Sequence, residues 1–205
     1  EEKADIGFAC DPDGDRLSIV DNKGNAIGEE NTLVLCADSF YEETNSNSPL
    51  ITNLSSSMCL DFIASKHNRE IFRSAIGEAN VIELMKQKQS DFGGEGNGGV
   101  ILKDIHLGRD SLVASIIILN MLQKKNKTLD QIMKNIPDFF MIKEKVDIPN
   151  IDISAFYNYL SNAYGDIDID TADGIKFLWK DKWLHLRSSN TEPVIRIIAE
   201  SSNPY

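Results

Sequence analysis

Between Glu29 and Asn135, short apolar runs of strand character alternate with stretches of helical periodicity; after "IPD" at positions 136–138 that order changes. The switch constrains the fold more than any other feature. Strand-like "LITNL" (50–54), "EIFRS" (70–74) and "VIL" (100–102) are separated by "EENTLVLCADSFYE" (29–42), "SSSMCLDFIASKHN" (55–68) and "GEANVIELMKQKQ" (77–89). In the last of these, Val81, Leu84 and Met85 share one face at helical spacing. Ser55 to Ser57 offer caps for the helix before it, and "RDSLVASIIILNMLQ" (109–123) is apolar enough to be buried on most sides. Alternation of this kind predicts a layered α/β domain, a mixed sheet with helices, closing after "TLDQIMKN".

Beyond the "IPD" hinge, "FMIKEKVDI" reads as strand and "ISAFYNYLSNAYG" as helix. "DIDIDT", "GIKFLW", "WLHLRSS" and "PVIRIIAES" follow as strands. This predicts a smaller α+β domain with a mostly antiparallel, four-stranded sheet. Two cores fit within 205 residues. The formal charge of -11 repels nucleic acid and anionic membrane over most of the surface, so any phosphate site has to be local. No apolar run reaches the roughly 18 residues that span a bilayer, which predicts a soluble, cytoplasmic protein. Cys10, Cys36 and Cys59 lie among apolar neighbours without metal-ligand spacing and read as buried free thiols. The chain opens on Glu1 with no signal pattern, as if it began inside a longer protein.

Three loops carry chemistry. Between the strands "ADIGFAC" and "RLSIVD" lies "DPDGDR", where Asp11, Asp13 and Asp15 stand two apart and Gly14 permits a curl that converges them. Crowded carboxylates suit a hard divalent cation with oxygen ligands. A calcium EF-hand does not fit, because the glycine is fourth instead of sixth, position twelve is Asn22 and strands flank the loop; a solvated acidic turn is the plain alternative. Arg16 next to a cation loop implies that an anion also approaches. The second loop, "GGEGNGG", has G-x-G-x-x-G spacing at Gly94, Gly96 and Gly99 but runs into a strand instead of a helix, against a dinucleotide site. Glu95 and Asn97 offer it groups suited to sugar hydroxyls, unless it is only a flexible turn. In the third, "RSSNTEPVIR", hydroxyls, an amide and backbone N–H groups between Arg187 and Arg196 make a phosphate cradle; a surface turn with Glu192 paired to either arginine is the alternative.

In this order the three loops resemble the α-D-phosphohexomutase superfamily of phosphoglucomutases, phosphomannomutases and phosphoglucosamine mutases, over nearly the whole chain. The resemblance implies that residues 1–28 end the family's second domain, 29–136 form its third and 137–205 its fourth, without the last helix. It implies Mg²⁺ on Asp11, Asp13 and Asp15, Arg16 near a catalytic phosphoserine, and Glu95 and Asn97 on the sugar. Arg187, Ser189, Asn190, Thr191 and Arg196 would hold the phosphate that is not transferred. "RSAIGEANV" adds Arg73 and Glu78 near the sugar, and "HLGRD" adds His106, Arg109 and Asp110. Many members end the sugar loop in Ser-Gly-His; here it is Asn97-Gly98-Gly99, a variant associated with phosphoglucosamine- and phosphomannomutase-like members, which leaves the sugar open.

The family's phosphorylated serine belongs to a Ser-His-Asn-Pro motif that these residues lack; "SKHNR" at 65–69 inserts a lysine and lies late in a helix. The reaction implied for an intact enzyme moves a phosphoryl group between positions 1 and 6 of a hexose phosphate through a hexose 1,6-bisphosphate. The partners implied are that substrate and the missing N-terminal domains of the same polypeptide, and the fragment alone is expected to be inactive. A non-catalytic sugar-phosphate-binding module and a structural calcium-binding protein are the rival readings.

Overall fold

The computed structural model describes residues 3–148, 152–189 and 192–204. Asn190 and Thr191 of the predicted phosphate loop lie outside them. The chain divides into two compact units, Glu1–Pro137 and Asp138–Tyr205.

The first unit opens with an antiparallel hairpin, β1 (Gly7–Cys10) and β2 (Leu17–Val20), paired from Gly7↔Val20 to Cys10↔Leu17. Alternation along β2 buries Leu17 and Ile19. Helix α1 (Glu29–Thr44), buried from Thr32 to Tyr41, packs on this strand, and Thr32 Oγ1 donates to the Leu17 carbonyl at 2.8 Å. Helices α2 (Cys59–Lys66), α3 (Glu78–Lys88), α4 (Ser111–Lys125) and α5 (Leu129–Met133) complete the helical layers. They flank a sheet of order β4-β3-β5-β6: β3 (Leu50–Asn53), β4 (Ile71–Ser74), β5 (Phe92–Glu95) and β6 (Gly99–Leu102). β3 runs parallel to β4 and β5, whereas β5 and β6 form an antiparallel hairpin, so the sheet is mixed. Phe92 stacks on Phe40 of α1 at 4.9 Å, while Ile51 and Ile101 pack with Val81 and Met85 of α3. Phe92 and Ile101 are offset by one position across the β5–β6 ladder, where successive side chains face opposite sides, so α1 and α3 cover opposite faces.

Helix α2 begins at Cys59 instead of in the serine run, because the serines have other partners. Ser56 Oγ accepts from Thr52 Oγ1 (2.7 Å) and the Gly96 amide (3.0 Å), and Ser57 Oγ serves the helix, accepting from Cys59 N. Helix α4 is less buried than its composition predicts. Val113, Ala114, Ile118 and Met121 face the core, but Leu112, Ile116 and Leu119, at helical spacing, are 69%, 60% and 47% exposed. Of the three free thiols, Cys36 and Cys59 are buried and Cys10 is exposed, contrary to the expectation for all three.

The second unit is a five-stranded sheet of order β7-β11-β10-β9-β8, antiparallel throughout, with one helix. Its elements are β7 (Phe140–Asp147), α6 (Ile153–Ala163), β8 (Asp168–Asp170), β9 (Ile175–Leu178), β10 (Lys182–Ser188) and β11 (Val194–Ser201). The sheet has one strand more than predicted because β7 joins it, pairing with β11 from Phe140↔Ser201 to Asp147↔Val194. Helix α6, capped by Asp152 Oδ1 on Ala155 N, sets Phe156, Tyr157 and Leu160 against Ile175, Phe177, Leu186 and Ile195. Among the described residues, no helix is long and apolar enough to cross a membrane.

Candidate functional site

The acidic loop is a tight connection between β1 and β2. Gly14, at φ +72°, makes the turn, with its amide on the Asp11 carbonyl at 3.1 Å. Asp11 Oδ1 accepts from the amides of Asp15 and Arg16, each at 3.1 Å, and its Oδ2 takes Arg16 Nε at 2.5 Å. Burial opposes ionisation of Asp11, but its contacts with Arg16, side chain and backbone, outweigh that and hold the carboxyl well below the usual range. Asp15 is shifted the other way. Burial and the carboxylates of Asp11 and Asp13 raise it, against the pull of Arg109.

One oxygen from each of Asp11, Asp13 and Asp15 lies within 4.8 Å of the others. Asp15 Oδ1 is buried without a hydrogen-bond partner and is 3.4 Å from Arg16 Nε. A buried acceptor without a donor, beside two more carboxylates, is costly unless a cation approaches, so these residues fit a hard divalent ion with oxygen ligands.

The glycine-rich stretch is the β5–β6 hairpin, not a free loop. Glu95 ends β5 and is 3% exposed. Its Oε1 accepts from Asn53 Nδ2 (2.8 Å) and the Gly77 amide (3.0 Å), and its Oε2 from Arg109 Nη1 (2.6 Å). Asn97 Oδ1 accepts from the Gly99 amide at 3.1 Å, closing the turn. Three contacts tie the acidic loop and the strand after it to the hairpin and to the segment that follows the hairpin. Leu17 N donates to the Gly98 carbonyl at 3.1 Å, Ser111 Oγ at the start of α4 donates to the Gly14 carbonyl at 2.7 Å, and Arg109 Nη2 pairs with Asp15. The two loops, some 80 positions apart in sequence, are therefore one site.

Asn53, Ser74 and Glu95 end the three parallel strands at the same edge, the carboxyl edge where open α/β sheets gather ligands. Here Arg73 Nη2 donates to Asp61 Oδ2 (2.7 Å) and the Ser57 carbonyl (3.2 Å), leaving Nη1 buried without a hydrogen-bond partner. Glu78, the first residue of α3, accepts the Arg109 amide at 2.7 Å. His106 is half exposed, with Nε2 3.0 Å from Asp110 Oδ2, and Asp110 caps α4 through Leu112 N and Val113 N. Sequence reasoning missed Asn53 and Ser56. The signal was the polar "TNLSSS" run just past an apolar strand.

In the second unit Arg187 and Arg196 are directly opposite each other on β10 and β11, and Arg196 is opposite Lys145 on β7. Residues in such register project from the same face, so a row of three like charges crosses the sheet. Like charges set opposite one another destabilise a ladder unless an anion meets them. Arg187 Nε is 2.8 Å from both Asp173 oxygens, which fixes its guanidinium, and Ser189 N donates to the Val194 carbonyl at 2.9 Å to close the turn. Lys143, Lys145, Glu192 and Arg196 line a cavity of about 440 Å³ here. Lys145 and Asp173 were not singled out from sequence, because Lys145 meets Arg196 through a long-range strand register and Asp173 meets Arg187 from the turn before β9.

Two family descriptions match the chain: the α/β/α domain III of phosphoglucomutase/phosphomannomutase over residues 29–140, and the C-terminal domain of the same family over 123–205. A phosphoglucomutase/phosphomannomutase of Thermococcus kodakarensis is 34% identical over 202 residues, which is 98% of this chain and 44% of its own. A phosphoglucosamine mutase of Methanocaldococcus jannaschii is 30% identical over 202 residues, 97% of this chain and 45% of its own. The chain thus spans less than half the length of these relatives. Among solved structures, a phosphoglucomutase/phosphomannomutase family protein from Burkholderia thailandensis superposes with a TM-score of 0.83 at 23% identity, over 99% of this chain and 44% of its own. An Aspergillus fumigatus N-acetylphosphoglucosamine mutase, in complex with GlcNAc-6P and magnesium, superposes with a TM-score of 0.68 at 13% identity, over 99% and 46%. At those identities the structural likeness is one of fold; with the two family matches, which between them cover residues 29–205, this chain belongs to the phosphoglucomutase/phosphomannomutase family.

Proposed function

We propose that the chain is the cation-, sugar- and distal-phosphate-binding part of a phosphohexomutase. The parent enzyme moves a phosphoryl group between positions 1 and 6 of a glucose, mannose or glucosamine phosphate, through a phosphoserine and a hexose 1,6-bisphosphate. What carries this reading is the joining of the carboxylate loop and its strand to the Glu95 hairpin by Arg109 and Leu17, with Ser111 holding the same loop to α4. A cation site held against a sugar-reading hairpin is an arrangement that phosphoryl transfer to a sugar requires. The magnesium-bound relative of the same fold supports the choice of metal.

Asp11, Asp13 and Asp15 would hold Mg²⁺, which when bound neutralises charge on the transferring phosphoryl group. Arg16 stands beside them to meet the donor phosphate. Asn97 reads sugar hydroxyls, with Glu95 fixing the hairpin beneath it; Arg73, Glu78 and His106 stand along the same edge. Arg187, Ser189, Asn190, Thr191 and Arg196 grip the phosphate that stays, so that one cradle holds either end of the sugar. This is catalysis by positioning and electrostatics, in which the arginines orient and the serine reacts.

No Ser-His-Asn-Pro occurs in the 205 residues, so the isolated chain is expected to turn over nothing. The decisive experiment assays the full-length parent and the isolated chain with glucose 1-, mannose 1- and glucosamine 1-phosphate plus the matching bisphosphate. Turnover by the parent alone supports the proposal. Turnover by the isolated chain, or by neither protein, overturns it.

A further inference from the structure

Arg109 joins the cation loop to the Glu95 hairpin, and it does so through a lane that one glycine leaves open. Its backbone amide is fixed on Glu78 Oε1 at 2.7 Å. Its aliphatic stem lies across Gly99: a Cβ at position 99 would overlap Arg109 Cδ and come within 2.9 Å of Cγ. At the far end the guanidinium forks. Nη1 donates to Glu95 Oε2 at 2.6 Å and Nη2 pairs with Asp15 Oδ2. With Oδ2 taken, Asp15 keeps Oδ1 buried and without a hydrogen-bond partner, as a ligand atom needs to be.

We propose that Arg109 is a positioning residue for the cation loop. Its fork fixes the rotamer of Asp15 relative to the Glu95 hairpin, and Gly99 is its obligatory counterpart. The inference rests on reading Asp11, Asp13 and Asp15 as a divalent-cation site. The opposite role, a positive charge that competes with the ion for Asp15, is disfavoured by Glu95. That carboxylate is 3% exposed and already offsets the guanidinium, so the pair brings little net charge to the loop. What Arg109 adds is geometry, and groups that orient ligands from outside the coordination sphere are commonly worth 10–100-fold in metal affinity. The two roles predict opposite signs. A positioning residue weakens cation binding when removed, and a competitor strengthens it.

The same geometry explains the Asn97-Gly98-Gly99 ending of the hairpin. Any side chain at 99 occupies the lane of the Arg109 stem, so a residue larger than glycine at 99 displaces Arg109 from this path.

The test is Mn²⁺ binding to the 205-residue chain, followed by the loss of free-Mn²⁺ electron paramagnetic resonance signal. The proteins are wild type, R109M, R109K, G99A and the double variant G99A/R109M, with melting measured without metal to show that each is folded. R109M is expected to bind about tenfold more weakly or worse. G99A, which keeps the charge but displaces the stem, should weaken binding in the same direction. The double variant should be no weaker than R109M, since both changes act through one side chain. R109K, which reaches one carboxylate but not two, should fall between wild type and R109M. If R109M fails to fold, R109K and G99A carry the comparison. Unchanged or tighter binding in the folded variants overturns the proposal while leaving the cation site intact. Failure of the wild-type chain to bind Mn²⁺ overturns the cation reading of the loop, and this inference with it.

Discussion

Gly98 shows how much a single residue decides. Its φ is +90°, its carbonyl receives the Leu17 amide at 3.1 Å, and a Cβ would stand 2.5 Å from the Leu17 carbonyl oxygen. Gly98→Ala therefore meets both a left-handed backbone and a backbone wall, and is expected to cost about 2–4 kcal/mol. Urea denaturation followed by far-ultraviolet circular dichroism measures it; a cost below 1 kcal/mol would show that the hairpin is not held to β2 as described. At Asp15 a change of charge, not shape, is the probe. Millimolar Mg²⁺ is expected to raise the melting temperature of the wild-type chain, and Asp15→Asn, which keeps an acceptor but removes the anion, is expected to abolish that rise; an equal rise in both would remove Asp15 from the ligand set. The carboxylate convergence was legible in "DPDGDR" because it is made within five residues. The partners of Glu95 were not: Asn53, Gly77 and Arg109 arrive from three other segments, and nothing local to Glu95 announces them.

At the scale of elements, strand β10 carries both the predicted phosphate ligand Arg187 and a buried histidine two residues before it. Burial pushes His185 below the ordinary histidine range, against the opposing hydrogen bond to the Asp173 carbonyl at 2.6 Å. Lys176, opposite it on β9, and Arg187 add to the depression. An unfolded histidine titrates near pH 6.5, so below that pH the unfolded chain binds a proton that the folded chain refuses. Stability is thus full above about pH 6.5 and falls as the pH drops below it. His185→Gln should flatten that slope between pH 7 and pH 5 in chemical denaturation monitored by fluorescence of Trp179 and Trp183, both in this unit. A slope unchanged by the substitution would assign the pH dependence elsewhere. Core packing supplies a second element-scale test. Ile51 is fully buried on β3 with Val81, Met85 and Ile101, and Ile51→Ala is expected to cost about 2–5 kcal/mol by urea denaturation followed by far-ultraviolet circular dichroism. Helix periods and strand runs were readable here because each depends on near neighbours. The place of β7 in the second sheet and the exposed stripe Leu112, Ile116 and Leu119 were not, since both depend on what the rest of the chain pairs with or covers.

The molecule as a whole is two units with separate cores, dividing after Pro137. Residues 1–137 contain the acidic loop, the glycine hairpin and the contacts that join them, and are expected to fold alone with a cooperative thermal transition. A broad, non-cooperative melt of that piece would show that its core is incomplete. The amino-acid sequence by itself determined the α/β-then-α+β order, the three loops and the family, because periodicity, turn chemistry and motif spacing are short-range properties that survive without a partner. Only the tertiary structure decided that the acidic loop and the glycine hairpin are one site, and that Ser111 reaches the Gly14 carbonyl across 97 positions. It alone set Arg187, Arg196 and Lys145 in one row. Those facts depend on parallel pairing, strand register and close approach at glycines. Chain closure brings these about over distances at which sequence neighbours carry no information.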